Sequence, residues 1–358
     1  ADGEQGVDVY AGCQKDYTAQ HVTAANFISV ITGDADAVKG QGVNGTDGRV
    51  LQSTSSDRVF INFVDHGGSG LIAFPNPPYL YANDLQNALE KMSQKGMFKE
   101  LVFYMEACES GSMFEGATLP DNVYVTTAAN AQESSWGTYC PPNDKVNGKS
   151  IGSCLGDLYS VNWMQDLDAA NTQTETLEDQ YNNVKKLTSK SHVMQYGDVN
   201  DMTSEPIGNF EGNLNSKVLS LITEDSKNDD ATPTDAGAVD SRDVALVSHF
   251  HNYLRTNSFA DAKALVEEIE SRMQEDARFG AIVALVHGHA RVEEMIAKHS
   301  KPVSTACHKR VNQEIHDKCE GSYTDYSLKY ARVVVNMCEE LNGDASSIVA
   351  AVRKICHE

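Results

Sequence analysis

The sequence predicts an α/β sheet domain followed by a small helical domain. Strand-like runs alternate with a helical pattern up to residue 223, apolar periodicity is lost over residues 224–243, and residues 244–358 show helical spacing with hardly any strand signal. The chain has 358 residues, of which 41% are hydrophobic and 22% are charged. That length and composition are typical of two folded domains and argue against a disordered or rod-like protein.

The first strand of the sheet domain is predicted at Arg58–Val64, a β-branched and aromatic run that ends at Asp65. Apolar residues at helical spacing then predict a helix within residues 81–99, and the run 101–105 predicts a second strand. A strand, a helix and a strand in this order form a β-α-β unit, whose two strands lie parallel.

Two later runs, residues 123–127 and 192–196, repeat the strand pattern and extend the predicted parallel sheet. Residues 224–243 are rich in Asp and contain Pro and Gly, which predicts an exposed linker. Helical spacing in the last third of the chain predicts helices at residues 244–255, 260–273, 278–298, 303–318, 325–341 and 345–356.

The charge and the apolar pattern narrow the classes of partner. The chain carries 29 Lys and Arg against 51 Asp and Glu, a net charge of −22, which repels phosphate backbones and argues against a nucleic-acid partner. No apolar run reaches the roughly 18 to 20 residues of a membrane helix, and the first residues lack the basic and apolar regions of a signal peptide. We expect no membrane partner and no cofactor.

His66 and Cys108 follow the two strands of the β-α-β unit. The carboxyl ends of parallel strands meet at one edge of a sheet, so the two side chains are expected to approach each other there. A thiolate attacks carbonyl carbons and an imidazolium protonates the leaving amine, which makes the pair a candidate catalytic dyad. Each residue alone is more often a small buried apolar group or a turn residue, but the two together favour catalysis.

Four segments are similar to the legumain family, the asparaginyl endopeptidases of peptidase family C13 that are also called vacuolar processing enzymes. These segments are FVDHGG at residues 63–68, LVFYMEACESG at 101–111, TTAANAQESSW at 126–136 and LGDLYSVNWM at 155–164. The stretch at residues 136–140 resembles the plant members more than the animal ones.

The resemblance implies a caspase-like peptidase domain, a Rossmann-like three-layer α/β/α fold, over residues 1–223. It implies an activation linker over residues 224–243 and an all-α, death-domain-like prodomain over residues 244–358. Family members begin with a further strand and helix that supply a basic residue to the specificity pocket, and the sequence shows no counterpart of them. We therefore expect an N-terminally truncated peptidase domain.

The resemblance assigns the catalytic groups. It implies that Cys108 is the nucleophile, that His66 is its acid and base, and that the backbone amides of Gly67 and Cys108 form the oxyanion hole. Fixed N–H donors beside the nucleophile are what a tetrahedral intermediate requires. Asp65 resembles a family aspartate that can cyclise to a succinimide, although an Asp before His is also an ordinary turn residue.

The resemblance also implies that Glu106, Ser135 and Asp157 hold the side chain of a substrate Asn. A carboxamide has a donor end and an acceptor end, and a carboxylate in the pocket accepts from its NH₂ group. The implied activity is an endopeptidase that cleaves protein and peptide substrates after exposed Asn. Cleavage after Asp is expected only in acid, where protonation gives Asp a donor as well.

The family resemblance further implies a zymogen, in which the C-terminal prodomain covers the active site as an intramolecular inhibitor until acid releases it. Peptide ligation is an implied side activity. The expected location is the vacuole or lysosome, reached through the secretory pathway, and whether the zymogen forms a dimer is left open. The alternative function is a catalytically inactive homologue that acts as a binding or inhibitory module.

The cysteines resemble disulfide-forming cysteines of the family. The resemblance implies three disulfides, Cys140–Cys154, Cys307–Cys338 and Cys319–Cys356. From spacing alone, the four cysteines of the last third allow three connectivities. Zinc binding is the alternative for the first pair, but no paired His or Cys supports it, and no metal site is expected. Asn44 begins an Asn-Gly-Thr glycosylation sequon.

Histidine distribution bears on release by acid. Eight of the 11 His residues lie within residues 241–358. Their protonation makes the prodomain positive against an acidic peptidase domain and strengthens the attraction between the two. We therefore expect release at about pH 4 to 5, the carboxylate range, and not at about pH 6 to 6.5. Buried neutral histidines would reverse this expectation, because acid would then oppose their burial.

Overall fold

The computed structural model describes residues 10–43, 48–212, 234–320 and 323–356. Asn44 and most of the linker lie outside the described residues. The first part of the chain contains a mixed sheet with helices on both faces, and the last third is helical. The predicted fold class is therefore confirmed.

The first half of the sheet domain, the expected peptidase domain, contains the predicted β-α-β unit. Its elements in chain order are α1 (Ala24–Ile31), β1 (Arg58–Val64), β2 (Gly67–Gly68), β3 (Leu71–Ile72), β4 (Leu80–Tyr81), α2 (Ala82–Gln94), β5 (Glu100–Glu106) and β6 (Val123–Thr127). Strands β1 and β5 are parallel neighbours with Val64 opposite Glu106, and β5 is parallel to β6. The two strand ends that carry the candidate dyad are therefore adjacent.

The second half of the domain completes the sheet. Its elements are β7 (Trp136–Thr138), β8 (Lys145–Val146), β9 (Lys149–Ser150), β10 (Gly156–Asp157), α3 (Leu158–Ala169), α4 (Leu177–Leu187) and β11 (Met194–Gly197). Strand β11 pairs antiparallel with β6, so the prediction of a fourth parallel strand is wrong. A β-α-β crossover has one helix between its two parallel strands, but two packed helices, α3 and α4, precede β11. The second helix adds one more reversal of the chain direction, so β11 runs antiparallel to β6.

The central sheet, in the order β1-β5-β6-β11, has an apolar core on each face. All seven residues of β5 are buried, because this strand lies between two others and between two helical layers. One core packs the sheet against α2, with Ile61, Phe103, Leu85 and Leu89 among its members. The other packs the sheet against α3 and α4, with Tyr104, Tyr124, Tyr159 and Trp163 among its members. These are the three layers of an α/β/α domain.

The end of the linker differs from the exposed segment that we predicted. Strand β12 (Val239–Asp240) pairs antiparallel with β7, which places β7 between β10 and β12 in a small second sheet. Arg242 is 9% exposed. The expectation of an exposed linker is therefore wrong for residues 239–242. This segment has no apolar pattern, but backbone pairing with β7 and an ion pair of Arg242 with Glu109 bind it to the sheet domain.

The prodomain consists of α5 (Val244–Thr256), α6 (Phe259–His287), α7 (Val292–Ala297), α8 (Thr305–Lys318), α9 (Ala331–Glu340) and α10 (Ser346–Cys356). We predicted a break between helices at residues 274–277, and this is wrong. Helix α6 is continuous because that stretch, Gln-Glu-Asp-Ala, contains no helix-breaking residue. No helix in the described ranges combines the length and apolar character needed to cross a membrane.

Three disulfides are present, in the pairing that the resemblance implies. Cys307–Cys338 joins α8 to α9, and Cys319–Cys356 joins the end of α8 to the end of α10. Cys140–Cys154 closes the loop between β7 and β10. Two of the bonds therefore staple the helical core of the prodomain, and the third lies in the peptidase domain.

The prodomain packs on the hairpin formed by β2 and β3. Leu71 and Tyr81 of the peptidase domain share a buried apolar cluster with Leu328 and Ala331 of the prodomain. A Cβ on Gly68 would lie 3.0 Å from the Cβ of Ala331, so the two domains are in close contact there. The hairpin begins directly after His66, and the prodomain therefore covers the edge of the sheet where the candidate dyad lies.

Candidate active site

Strand pairing brings the ends of β1 and β5 together. The Asp65 N–H donates to the carbonyl oxygen of Glu106 at 3.2 Å, which extends the ladder by one residue beyond the two strands. His66 follows Asp65, and Cys108 follows Glu106 by two positions. Both members of the candidate dyad therefore lie at one edge of the sheet, as the order of strand, helix and strand predicted.

Gly67 lies against the backbone of Cys108. A Cβ at position 67 would lie 2.2 Å from the carbonyl oxygen of Cys108, a distance that no side chain tolerates. Glycine is therefore required by this close approach. The two residues whose amides are expected to form the oxyanion hole are in direct contact.

The Cys108 thiol is covered. Cys108 is 1% exposed, and its Sγ lies 3.6 Å from the hydroxyl oxygen of Ser135. Burial raises the pKa of the Cys108 thiol to about 11, although the nearby Arg242 guanidinium acts to lower it. The Cys108 thiol is therefore protonated while the site is covered, and access of water would reduce the penalty for its ionisation.

The Glu106 carboxyl group lies at the end of β5, beside the candidate dyad, and one of its two oxygens has no hydrogen-bond partner among the described residues. Its Oε2 accepts hydrogen bonds from the backbone N–H of Ser160 at 2.8 Å and from the Ser160 hydroxyl at 2.9 Å. Its Oε1 is buried and has no partner among the described residues. Burial, and after it the Asp157 carboxylate, raise the pKa of Glu106 well above its ordinary range. A donor is therefore missing at this position.

Asp157 is the second carboxyl group of the expected pocket. Burial raises its pKa, and His66 acts in the opposite direction. Asp157 ends β10, which pairs with β7 so that Asp157 lies opposite Gly137. The Asp157 carboxylate thus lies close enough to Glu106 to oppose its ionisation, as expected for two carboxyl groups that face one site.

Strand β12 lies along β7 in the way that an extended peptide substrate would. Val239 pairs with Gly137 and Asp240 with Trp136. The Ser241 N–H then donates to the carbonyl oxygen of Ser135 at 3.0 Å, and the two serine hydroxyls are 3.1 Å apart. The linker therefore occupies the strand position beside the expected substrate pocket.

Two site residues, Glu109 and Arg242, were not predicted. Arg242 donates to both oxygens of Glu109, at 3.1 and 2.5 Å, and to the carbonyl oxygen of Gly67 at 3.2 Å. Burial disfavours the charged guanidinium, but the Glu109 carboxylate raises the pKa of Arg242 above its ordinary value. Glu109 directly follows Cys108, and Arg242 is the only arginine of residues 224–243. The sequence offered only the charge of Glu109 directly after Cys108 as a signal, since a carboxylate buried there would need a cation.

His66 contacts the prodomain. Its side chain is 39% exposed, and its Nε2 lies 3.4 Å from Oδ1 of Asp325. Asp65 accepts the backbone N–H of His66 at 2.6 Å, and burial raises the pKa of the Asp65 carboxyl. Asp65 therefore shapes the turn that presents His66, while Asp325 holds the imidazole from the prodomain side.

A cleft of about 580 Å³ remains beside the covered dyad. His66 and Asp157 line it on the peptidase side, residues 152–155 form one wall, and Val244 and Ser248 of α5 close it from the prodomain side. The site therefore combines a covered thiol, an imidazole, a pocket with two carboxyl groups and a strand edge that can pair with a peptide.

Comparison with known proteins gives two family matches in the order of the two domains. The model of the Peptidase C13 family matches residues 2–213, and the model of the legumain prodomain matches residues 263–356. A vacuolar-processing enzyme of Glycine max is 38% identical over 360 residues, which are 96% of this chain and 70% of the relative.

Two further relatives agree. The vacuolar-processing enzyme beta-isozyme of Arabidopsis thaliana is 38% identical over 364 residues, 96% of this chain and 72% of its own. Legumain of Canavalia ensiformis is 38% identical over 352 residues, 93% of this chain and 72% of its own. Because this identity spans both domains, the chain belongs to the peptidase C13 family of cysteine endopeptidases and carries a legumain prodomain.

Proposed function

We propose that the chain is the zymogen of an endopeptidase that cleaves after Asn, with Cys108 as nucleophile and His66 as acid and base. The observation that carries the specificity is the unpartnered Oε1 of Glu106 in a pocket shared with Asp157, because a donor brought to Oε1 by the substrate would favour the carboxylate form that burial disfavours. The carboxamide of a substrate Asn brings the missing NH₂ donor. A substrate Asp brings a donor only when it is protonated, so cleavage after Asp is proposed for acid alone.

The proposed reaction is acyl transfer through a thioester. His66 takes the proton of Cys108, the sulfur attacks the carbonyl carbon of the substrate Asn, and the amides of Gly67 and Cys108 donate to the oxyanion. His66 then protonates the leaving amine as the C–N bond breaks. Water that loses its proton to His66 hydrolyses the thioester, and a peptide amine in the place of this water gives ligation as a side activity.

Latency is proposed to come from two covers on the same site. Strand β12 takes the position of a substrate along β7 and is fastened by the ion pair between Arg242 and Glu109. The prodomain packs on Gly68 and places Asp325 beside His66. Both covers must leave before a substrate can pair with β7, so the prodomain is the proposed intramolecular inhibitor.

Acid release is proposed to involve His308 of α8. His308 is 2% exposed, its ring lies edge-on to the ring of Tyr81 at 5.3 Å between centroids, and its Nε2 has no partner among the described residues. Burial lowers the pKa of His308 to about 3. The next residue along the helix, Lys309, is paired with Asp84 of the peptidase domain. His308 is therefore a buried neutral histidine at the interface, the case that reverses the expectation of release only at about pH 4 to 5.

The sign of this effect follows from linkage. The closed form lowers the pKa of His308, so the open form binds the proton more readily. The equilibrium constant for closure is largest above about pH 6.5, the ordinary pKa of histidine. It falls about tenfold for each pH unit below that value, down to about pH 3. We therefore propose that release begins below about pH 6.5, before the carboxylates titrate.

A second copy of the chain is the proposed partner of the uncleaved protein. Phe259, Val266 and Met273 of α6 are exposed at intervals of seven residues, and Phe250 and Leu254 of α5 are exposed as well. Such spacing is typical of helices that pack against another helix. Analytical ultracentrifugation of the uncleaved chain tests this, since a sedimentation coefficient of a monomer at micromolar concentration would contradict it.

The proposed location is the vacuole or lysosome, reached through the secretory pathway. Relatives of this chain are named vacuolar-processing enzymes, and three disulfides indicate an oxidising compartment during folding. Glycosylation of Asn44 is part of the same proposal. A fluorescent fusion of the full-length protein tests the location, and a mass loss on glycosidase treatment tests the glycan.

The experiment for the activity uses a fluorogenic Ala-Ala-Asn peptide after acid incubation of the chain. Cys108→Ala should abolish cleavage. Glu106→Gln should lower kcat/KM by about a hundredfold, because the glutamine amide places a donor opposite the donor of the substrate. Glu90→Gln, an exposed carboxyl on α2, is the matched control. Peptides with Asp, and an added peptide amine, measure acid-dependent cleavage and ligation. Absence of Cys108-dependent cleavage would contradict the proposal and favour the binding or inhibitory module.

A further inference from the structure

The loop from Cys140 to Cys154 forms one wall of the cleft. The disulfide closes this loop, and β8 and β9 pair inside it as a hairpin. Residues 152–155 then line the cleft and lead directly to Asp157. The Leu155 N–H donates to the carbonyl oxygen of Tyr139 at 3.3 Å, which ties the end of the wall to the strand edge. The wall therefore continues into the expected substrate pocket.

A buried carboxylate, Asp144, lies inside this loop. Asp144 is 1% exposed, although its neighbours Asn143 and Lys145 are exposed. Its Oδ2 accepts hydrogen bonds from the Gly152 N–H and from the Ser150 hydroxyl, both at 2.6 Å. Its backbone carbonyl accepts the N–H of Ile151 at 3.0 Å. Residues 150, 151 and 152 of the loop thus all donate hydrogen bonds to Asp144.

This anchor remains charged in acid. Burial acts to raise the pKa of Asp144, but the hydrogen bonds from Ser150 and Gly152 outweigh it and hold the pKa below its ordinary value. A carboxylate with a lowered pKa keeps its interactions throughout the range above the ordinary aspartate value and loses them only as the pH falls through the lower value. The anchor therefore persists at a pH at which His308 is proposed to open the site.

The wall needs an anchor because its own sequence provides little order. Residues 147–156 read Asn-Gly-Lys-Ser-Ile-Gly-Ser-Cys-Leu-Gly, and Ile151 is 57% exposed and not part of a core. Ordering such a segment costs conformational entropy, most of all at glycine. The disulfide fixes the two ends of the loop, and Asp144 fixes the residues before the cleft wall.

We propose that Asp144 is a positioning residue for substrate binding, which holds residues 150–152 so that the cleft wall and Asp157 are in place before a peptide arrives. This role rests on the proposed function, since a peptide substrate is what the wall would contact. Asp144 is not a catalytic residue, because the contacts that it makes are within its own loop. Its removal should therefore weaken binding and leave the chemical step unchanged.

The kinetic test compares Asp144→Ala, Asp144→Asn and Lys145→Ala in the acid-activated chain. Asp144→Ala should raise KM for the Asn peptide about tenfold with kcat changed less than about twofold, the size expected from the loss of charge-assisted hydrogen bonds. Asp144→Asn keeps an acceptor oxygen and should restore part of the affinity. Lys145→Ala, an exposed neighbour on the same hairpin, should leave both constants unchanged.

Hydrogen exchange tests the anchor independently of activity. In Asp144→Ala, the amides of residues 151 and 152 should exchange about tenfold faster, while the amides of β11 keep their rates. A general loss of stability would accelerate both. Unchanged exchange at residue 152 would overturn the anchor, and a lower kcat with unchanged KM would overturn its role in binding. If the parent chain cleaves no Asn peptide, the proposed function fails, and the exchange pattern still decides whether Asp144 holds the wall.

Discussion

The linker and the prodomain cover the same active site by different physical means. Residues 234–243, the part of the linker that the structure describes, contribute a strand along β7 and the buried ion pair between Arg242 and Glu109. The prodomain contributes an apolar cluster, a buried imidazole and exposed ion pairs. In acid the ion pair can lose charge only through Glu109, whose pKa burial raises although Arg242 acts to lower it, whereas the buried imidazole of the prodomain gains a proton on opening. Variants of each part should therefore separate the proposed latency from its proposed relief by acid.

The largest effect is expected from Arg242→Ala, which breaks the linker contact alone. It leaves the Glu109 carboxylate buried without its cation, and breaking a buried ion pair from one side costs about 3 to 5 kcal/mol. The linker should leave β7, and Cys108 in the uncleaved chain should react with iodoacetamide at neutral pH at least about a hundredfold faster. The initial rate of alkylation, read by mass spectrometry, measures this.

Two variants control that experiment. Arg255→Ala removes an exposed arginine at the end of α5 and should leave the alkylation rate unchanged. Arg242→Lys keeps the charge but loses the two-pronged hydrogen bond to Glu109, so its rate should be intermediate. Alkylation of Arg242→Ala at the parent rate would contradict the role of this ion pair in holding the linker over Cys108.

The sequence predicted those parts of the site whose strands carry a strand pattern in their own residues. β1, β5 and β6 are short β-branched and aromatic runs with abrupt ends, so their existence and the position of His66 and Cys108 at one edge of the sheet could be predicted. Strand β12 could not, because Val239 and Asp240 carry no alternating pattern and form a strand only beside β7. The partners Glu109 and Arg242 are 133 residues apart, and only the tertiary fold brings them together.

A smaller effect, confined to the prodomain contact, is expected from His308→Leu. The parent should lose closure as the pH falls below about 6.5, because the buried imidazole would gain a proton on opening. Leucine fills the same apolar site without a proton to bind, so the release midpoint should fall by about one pH unit or more. Gel filtration between pH 3.5 and 7, on chains carrying an inserted cleavage site in the linker, measures release of the cut prodomain.

The matched control for this variant is His289→Gln, an exposed histidine of the same domain, which should not move the midpoint. Combined with Arg242→Ala, His308→Leu should keep the prodomain attached in acid while Cys108 remains open to alkylation. An unchanged midpoint in His308→Leu would assign acid release to carboxylates, as the charge distribution alone predicts.

The smallest effect is expected from Lys309→Ala, at an ion pair beside His308. The Lys309 Nζ lies 2.7 Å from Oδ1 of Asp84, but the two side chains are 37% and 39% exposed, so solvent and salt screen the attraction. Its loss should weaken closure by no more than about 0.5 to 1 kcal/mol. The release midpoint should rise by less than about one pH unit, since a full unit corresponds to about 1.4 kcal/mol.

Salt separates the two contributions at this interface. Raising ionic strength should remove the difference between Lys309→Ala and the parent, because Debye screening acts on exposed charges. It should leave the effect of His308→Leu intact, because the desolvation of a buried imidazole is not screened. A midpoint shift in Lys309→Ala as large as that in His308→Leu, and lost in salt, would mean that surface charge holds the prodomain closed. The buried histidine would then be a packing residue, and acid release would have to follow the carboxylates.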